Sequence, residues 1–301
     1  MSGGGDLVPG TLVGEYVVEG VLARGGMATL YSAVHPVIRK RAVVKVPSSE
    51  LSHHAITVER FVREARAVNL IAHPNVVDIF GFGQLTDGQH YLVMERLEGE
   101  TLAARLRRFR LSHSEVHEIV LQLSDMLDPA HAQGVLHLDL KPDNVFLVPI
   151  RGARTLVKVL DFGLAAQMDE PATRWPALLG TFRGTPEYAS PEQAQGLSAI
   201  GPERDVYSLG VMAFEMLVGA RPFSGATLLE TLLKHIGEAA PSPSSLSSTV
   251  SPDEDQLVLR MLDKRAEARP TPAEVRERLL AWRTTSLRAS TQSMPQVEPK
   301  R

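Results

Sequence analysis

Cysteine does not occur in the 301 residues. Disulfides, thiolate metal sites and a cysteine nucleophile are therefore excluded, and the composition fits a reducing compartment. A long apolar run is missing too. The best stretch, 206–218, is broken by Ser208 and Glu215 and falls short of the roughly 18 residues that a membrane helix needs. The first six residues, Met1-Ser2-Gly3-Gly4-Gly5-Asp6, lack a basic segment leading into an apolar one, so they do not read as a secretory signal. Nor is there an excess of basic charge. The formal net charge of −3 gives no reason to expect a nucleic-acid partner. What is present, 44% hydrophobic and 22% charged residues, is the composition of a soluble globular protein, expected in the cytoplasm. The length allows one large or two medium lobes with a substantial core.

Residues 1–13 are glycine-rich and read as a flexible N-terminus. From Glu15 onward, Tyr16-Val17-Val18 and Val21-Leu22 are rich in strand formers. Ala23-Arg24-Gly25-Gly26-Met27-Ala28-Thr29 then turns into Leu30-Tyr31-Ser32-Ala33-Val34. This is a hairpin with a small-residue tip. A strand over Arg41–Val46 follows and places Lys45 among valines. Burying an ammonium without a partner is costly, so Lys45 asks for a carboxylate. The next segment offers one: in a helix over Thr57–Ala72, Glu64 shares the stripe marked by Phe61, Val68 and Ile71. His73-Pro74-Asn75 ends that helix, and two strands are expected over Val76–Phe82 and His90–Met94. Further on, Ser112-His113-Ser114-Glu115 has the form of a capping box, and Val116, Ile119, Val120, Leu123, Met126, Leu127 and Ala130 recur at helical spacing behind it. Pro129 falls inside that helix and predicts a kink or an early break. Ser251-Pro252-Asp253-Glu254 and Thr271-Pro272-Ala273-Glu274 open two closing helices with proline at the first position. From Thr284 to Arg301 the pattern loses its periodicity and reads as a disordered tail.

Two stretches give the chain its character. His137-Leu138-Asp139-Leu140-Lys141-Pro142-Asp143-Asn144 is followed, seventeen residues after Asn144, by Asp161-Phe162-Gly163. With Lys45, Glu64, the glycine-rich tip, Gly184-Thr185-Pro186-Glu187-Tyr188-Ala189-Ser190-Pro191-Glu192, Asp205 and Arg269, they occur in the order found in protein kinases. The chain resembles that family over residues 14–283. Gly25-Gly26-Met27, Phe61-x-x-Glu64-Ala65 and Ser190-Pro191-Glu192-Gln193 are most similar to bacterial eukaryotic-like (Hanks-type) serine/threonine kinases.

The resemblance implies an α+β, two-lobed protein kinase fold. A small antiparallel β lobe with one helix would span 14–95, and a larger, mainly helical lobe 98–283. It also implies transfer of the ATP γ-phosphoryl group to Ser or Thr hydroxyls of proteins, with autophosphorylation and a signalling role. ATP and Mg²⁺, with Mn²⁺ as the alternative ion, would be required. Asp139 would orient and deprotonate the hydroxyl, Lys141 would stabilise the transferring group, and Asn144 and Asp161 would hold the metal. Leu22, Ala23, Arg24, Gly25, Gly26, Met27, Ala28, Thr29 and Leu30 would cover the nucleotide. Lys45, paired with Glu64, would hold its α- and β-phosphates. Leu22, Leu30, Val43 and Phe146 would sandwich the purine, with Met94 as gatekeeper and the backbone of Glu95 to Leu97 along the adenine edge. Thr185 would bridge Asp139 and Lys141, Arg269 would pair with Glu192, and Asp205 would hold the catalytic loop.

Three departures stand out. Ala23 and Ala28 replace the first and third glycines of the phosphate loop, which restricts the backbone there. Ser190 stands in an alanine's place. Leu138 replaces an arginine that would bind a phosphate on the loop ahead of Thr185. Thr181 is the position for that phosphate, and transfer is expected not to depend strongly on it. Arg105, Arg107, Arg108 and Arg110 form one basic cluster, read either as a solvated helix face or as a docking site for an acidic segment. A pseudokinase working as a nucleotide-binding or scaffold module is the rival reading, and a small-molecule kinase the third. Protein substrates, oligomeric state and activating signal stay open.

Overall fold

The computed structural model describes residues 6–26, 28–48, 55–152, 154–162, 166–167, 184–197 and 201–292. In the small lobe, β1 (Leu12–Val13), β2 (Tyr16–Arg24), β3 (Ala28–Val34), β4 (Arg41–Pro47), β5 (Ile79–Gln84) and β6 (His90–Glu95) form one antiparallel sheet in the order β1-β2-β3-β4-β6-β5. Alternation decides its inner face: Val18, Tyr31, Ala33, Ala42, Val44 and Val93 are buried together. The helix α1 (Ala55–Ile71) lies against the sheet through Phe61 and Ala65, which pack on Leu92.

The N-terminal boundary moves relative to the sequence expectation. Residues 6–13 are part of the lobe: β1 pairs with β2, Val13 is buried, and Leu7 packs on the sheet core. Leu12 and Val13 extend the sheet, and the apolar Leu7 packs on it, despite the glycines that precede them.

The large lobe begins with β7 (Glu100–Thr101) and α2 (Leu102–Arg108), followed by α3 (His113–Ala132). Gly99 precedes them at φ 148°, where any side chain would collide with the Leu147 carbonyl, so only glycine lets the chain cross there. Ser112 and Glu115 form the capping box of α3. Pro129 does not stop this helix, which runs on to Ala132. The proline sits in the last turn and removes only its own N–H bond to the preceding turn, and the helix continues past it.

Short strands β8 (Val135–Leu136), β9 (Val145–Ile150), β10 (Arg154–Val159) and β11 (Ala166–Gln167) frame the cleft floor, with β10-β9-β7 as one sheet and β11-β8 as another. Then come α4 (Pro191–Ala194), α5 (Glu203–Val218), α6 (Leu228–Gly237), α7 (Pro243–Leu246), α8 (Pro252–Met261) and α9 (Pro272–Gln292). Helix α5 is buried along most of its length, from Arg204 to Phe214, and forms the centre of the large-lobe core with Leu123, Met126 and Leu127 of α3. Helical backbone continues past residue 283 to Gln292, where the sequence suggested a tail without structure. Extending an existing helix costs far less than starting one, and no proline or glycine intervenes before Pro295. Among the described residues no helix is long and apolar enough to cross a membrane.

Candidate active site

The candidate site draws side chains from small-lobe strands, from α1, from β9 and from the segments that follow β8 and β10. On β4, Lys45 alternates with the buried Val44 and Val46 and points to α1, where its Nζ donates to both Glu64 carboxylate oxygens at 2.8 Å. The same ammonium reaches Asp161 Oδ1 at 3.2 Å. Burial works against the Lys45 charge, but Glu64 and then Asp161 outweigh it and hold the ammonium well above its ordinary value. The arrangement ties the small-lobe helix to the strand and to the segment that follows β10.

The catalytic-loop candidate is held from below. Asp205, fully buried near the start of α5, accepts from the backbone N–H of His137 at 2.9 Å, from that of Leu138 at 2.8 Å and from His131 Nε2 at 2.9 Å. Burial pushes its carboxyl up, and the His131 hydrogen bond and charge more than offset this, so Asp205 sits below its usual value. The ring of His137 lies 4.7 Å from that of the buried Phe162.

At the mouth, Asp139 is surrounded by donors. Its Oδ1 accepts from the Thr185 backbone at 3.0 Å and from the Thr185 hydroxyl at 2.9 Å, and its Oδ2 accepts from Lys141 Nζ at 2.8 Å. Lys141 also donates to Thr185 Oγ1 at 2.6 Å, which closes a three-residue ring. Asn144 donates through Nδ2 to the Asp139 carbonyl at 2.9 Å, so its side-chain oxygen remains for another ligand. Asp161 adopts φ 60°, a left-handed conformation that costs an aspartate on the order of 1 kcal/mol and keeps its side chain half exposed. Asn144 and Asp161 present oxygen donors of the kind a hard divalent cation prefers, so the residues present fit such an ion.

The residues expected to meet a nucleotide come mainly from strands. Leu22, Ala23 and Arg24 end β2, Ala28, Thr29 and Leu30 begin β3, and the Gly25 N–H closes the turn onto the Ala28 carbonyl at 2.9 Å. Gly26 sits at the tip with open space around it. Ala23 pairs with Leu30 directly after a register shift between Val21 and Ala23, and neither Ala23 nor Ala28 takes a positive φ, so the two alanines need no left-handed backbone. The Arg24 side chain turns away to an exposed pair with Asp6 at 2.6 Å. Val43 pairs with Met94 across the sheet, Leu97 follows the end of β6, and Phe146 lies on β9. Met27, Gly163 and Thr181 lie outside the described residues.

The structure also joins residues that the sequence left apart. Glu95 Oε1 accepts from Lys158 Nζ at 2.6 Å and from the Asp78 N–H at 2.8 Å, which fastens the end of β6 to β10. The signal that singled out Lys45, a lysine between valines, is repeated in Val157-Lys158-Val159 and could have found this pair. His131, at the end of a helix, carried no comparable signal. Arg269 grips Glu192 with two hydrogen bonds, at 2.7 and 2.9 Å, bracing the segment that contains Thr185. In the basic cluster, Arg105 and Arg108 both engage Glu100, while Arg110 donates to the Val218 carbonyl. These local partners fit the solvated-face reading.

A lysine–glutamate pair over a glycine tip, with aspartate, lysine and asparagine on one loop and a second aspartate after β10, defines a protein kinase domain. The family model for that domain matches residues 16–280, and the chain belongs to this family. Its relatives place it among the bacterial Hanks-type members. It is 40% identical over 264 residues to serine/threonine-protein kinase Pkn1 of Myxococcus xanthus, covering 88% of this chain and 37% of that protein. It is 37% identical over 269 residues to pkn3 of the same organism, covering 88% and 49%. With PknA of Mycobacterium tuberculosis (strain ATCC 25618 / H37Rv) it shares 38% identity over 237 residues, covering 77% and 53%. The chain thus spans about half or less of the length of these curated relatives. Members of the family use ATP and a divalent metal.

Proposed function

We propose that this chain is a protein serine/threonine kinase that transfers the γ-phosphoryl group of ATP to Ser or Thr hydroxyls of proteins, with Mg²⁺ as the metal. The observation that carries this reading is the closed ring of Asp139, Lys141 and Thr185 beside Asn144 and Asp161.

Asp139, held by Thr185 and Lys141, would accept the proton of the attacking hydroxyl. A bond forms between that oxygen and the γ-phosphorus while the bond from phosphorus to the β–γ bridging oxygen breaks. Lys141 places a positive charge beside the developing negative charge on the transferring group, and Lys45 fixes the phosphates behind it. Asn144 and Asp161 would hold the metal, which supplies charge neutralisation on the phosphates. Thr185, hydrogen-bonded to Asp139, would border the path of the substrate backbone, as the resemblance to the family implies. That favours a short Ser or Thr side chain over a long phenol, and a protein over a free small alcohol. The scaffold alternative gains no support from the two alanines, which need no left-handed backbone. Because the reaction consumes ATP, the cytoplasm is the fitting compartment.

The test is transfer from γ-labelled Mg-ATP to the protein itself and to a generic basic protein, followed by identification of the labelled amino acid. Label on serine or threonine is expected. A folded protein that yields none, or that labels tyrosine alone, would overturn the reading.

A further inference from the structure

Leu138 stands immediately before Asp139 and adopts φ 64°, a left-handed conformation that is costly for a branched side chain. Such a conformation persists only where its surroundings impose it. Here both ends of the residue are pinned. Its N–H donates to Asp205 at 2.8 Å, and its C=O accepts from Gln193 Nε2 at 2.9 Å. Gln193 belongs to α4, fifty-five positions away in sequence, and uses the rest of its amide locally. Its Oε1 accepts from the backbone N–H of the fully buried Ser190 at 3.0 Å, and the Gln193 backbone N–H donates to Ser190 Oγ at 3.3 Å. One neutral side chain therefore couples the cap of α4 to the peptide that carries Asp139. The Leu138 side chain has no donor with which to make such a link through a phosphate.

We propose that Gln193 is a positioning residue for phosphoryl transfer: its amide N–H₂ holds the Leu138 carbonyl, and through it sets Asp139. The catalytic loop is thereby fastened to the Thr185 segment by a neutral hydrogen bond. This rests on the reading of Asp139 as the group that receives the hydroxyl proton.

The two halves of the amide can be separated by substitution. Gln193→Glu keeps an acceptor for Ser190, since Ser-x-x-Glu is itself a capping box, but turns a carboxylate toward the Leu138 carbonyl. Gln193→Lys keeps a donor for Leu138 and loses the acceptor. With a serine peptide and saturating Mg-ATP, Gln193→Glu is expected to lower kcat about 10- to 100-fold, the range of an interaction that orients a catalytic group, with KM for ATP within about twofold of wild type. Gln193→Lys is expected to keep kcat within about threefold while lowering Tm, because only the cap is lost. Wild-type kcat in Gln193→Glu would overturn the proposal. So would a loss of kcat in Gln193→Lys as large as in Gln193→Glu. Should Gln193→Glu not fold, Gln193→Ala, which removes both donor and acceptor, takes its place: kcat is expected to fall relative to Gln193→Lys, and equal kcat in the two variants would overturn the proposal. Failure of the underlying reading shows separately, as full activity in Asp139→Asn.

Discussion

Asp139 and its neighbours rest on the large lobe's core: Leu136, Leu140 and Val145 are fully buried around them, and the buried Asp205 binds two backbone N–H groups of the loop. Lys45, which holds the other half of the site, stands on a sheet whose core is a separate, smaller cluster. The adjoining helix touches that sheet through Phe61, Ala65 and the charge pair at Glu64. One half of the site is therefore fixed by backbone hydrogen bonds into a large apolar platform, and the other by a charged contact between two elements. Disturbing the first should spread through the lobe, whereas disturbing the second should chiefly misplace the nucleotide.

The hardest break is Lys45→Met. It removes the cation proposed to hold the phosphates and leaves Glu64 buried without its charge partner. Transfer should fall by about 100-fold or more, and stability by about 3–5 kcal/mol if Glu64 stays ionised. Steady-state kinetics and urea unfolding read the two separately, and the added change Glu64→Gln should restore stability but not transfer.

Asp205→Asn comes next. An amide oxygen cannot serve the three donors now bound, and each N–H left without a partner costs about 1–3 kcal/mol. Here Tm and kcat should fall together, while Lys45→Met with Glu64→Gln loses kcat alone. That contrast sharpens the difference between the lobes.

A smaller effect belongs to the large lobe alone and appears on acidification. His235, buried against Tyr207 and Phe223, is pushed down to about 4 by burial and then by the charge of Lys264. The unfolded chain takes up this proton near 6.5, while the folded one resists until about pH 4. Stability is therefore complete above 6.5 and is lost as the pH falls toward 4, by up to about 3 kcal/mol. Unfolding measured at pH 7 and pH 5 should show the loss, and His235→Gln should flatten it.

Much of the site was legible in the sequence because its partners announce themselves chemically. Lys45 in a valine run demands a carboxylate, and Glu64 on an apolar stripe demands a cation. Motif order then pointed to Asp139, Asn144 and Asp161 as candidates. The contacts that escaped notice join residues ordinary in their own surroundings. Gln193 reads as a polar residue after Ser-Pro-Glu, His131 as a helix terminus, and Glu95 as the end of a strand. Only the folded chain brings them to Leu138, Asp205 and Lys158. The end of α9 was misread for a different reason: Thr284-Thr285-Ser286 has weak helix propensity, but propensity is a poor guide where a packed helix already leads in.

Comparing Asp139→Asn with wild type tests the central claim most directly, through single-turnover transfer from Mg-ATP to a serine peptide, with thermal unfolding and nucleotide binding followed in parallel. Removing the proposed proton acceptor should slow transfer about 100- to 10,000-fold while the protein stays folded and nucleotide affinity stays at its wild-type value. Transfer at the wild-type rate in a folded Asp139→Asn protein would contradict the assignment of Asp139, and with it the chemistry built around the ring it forms with Lys141 and Thr185.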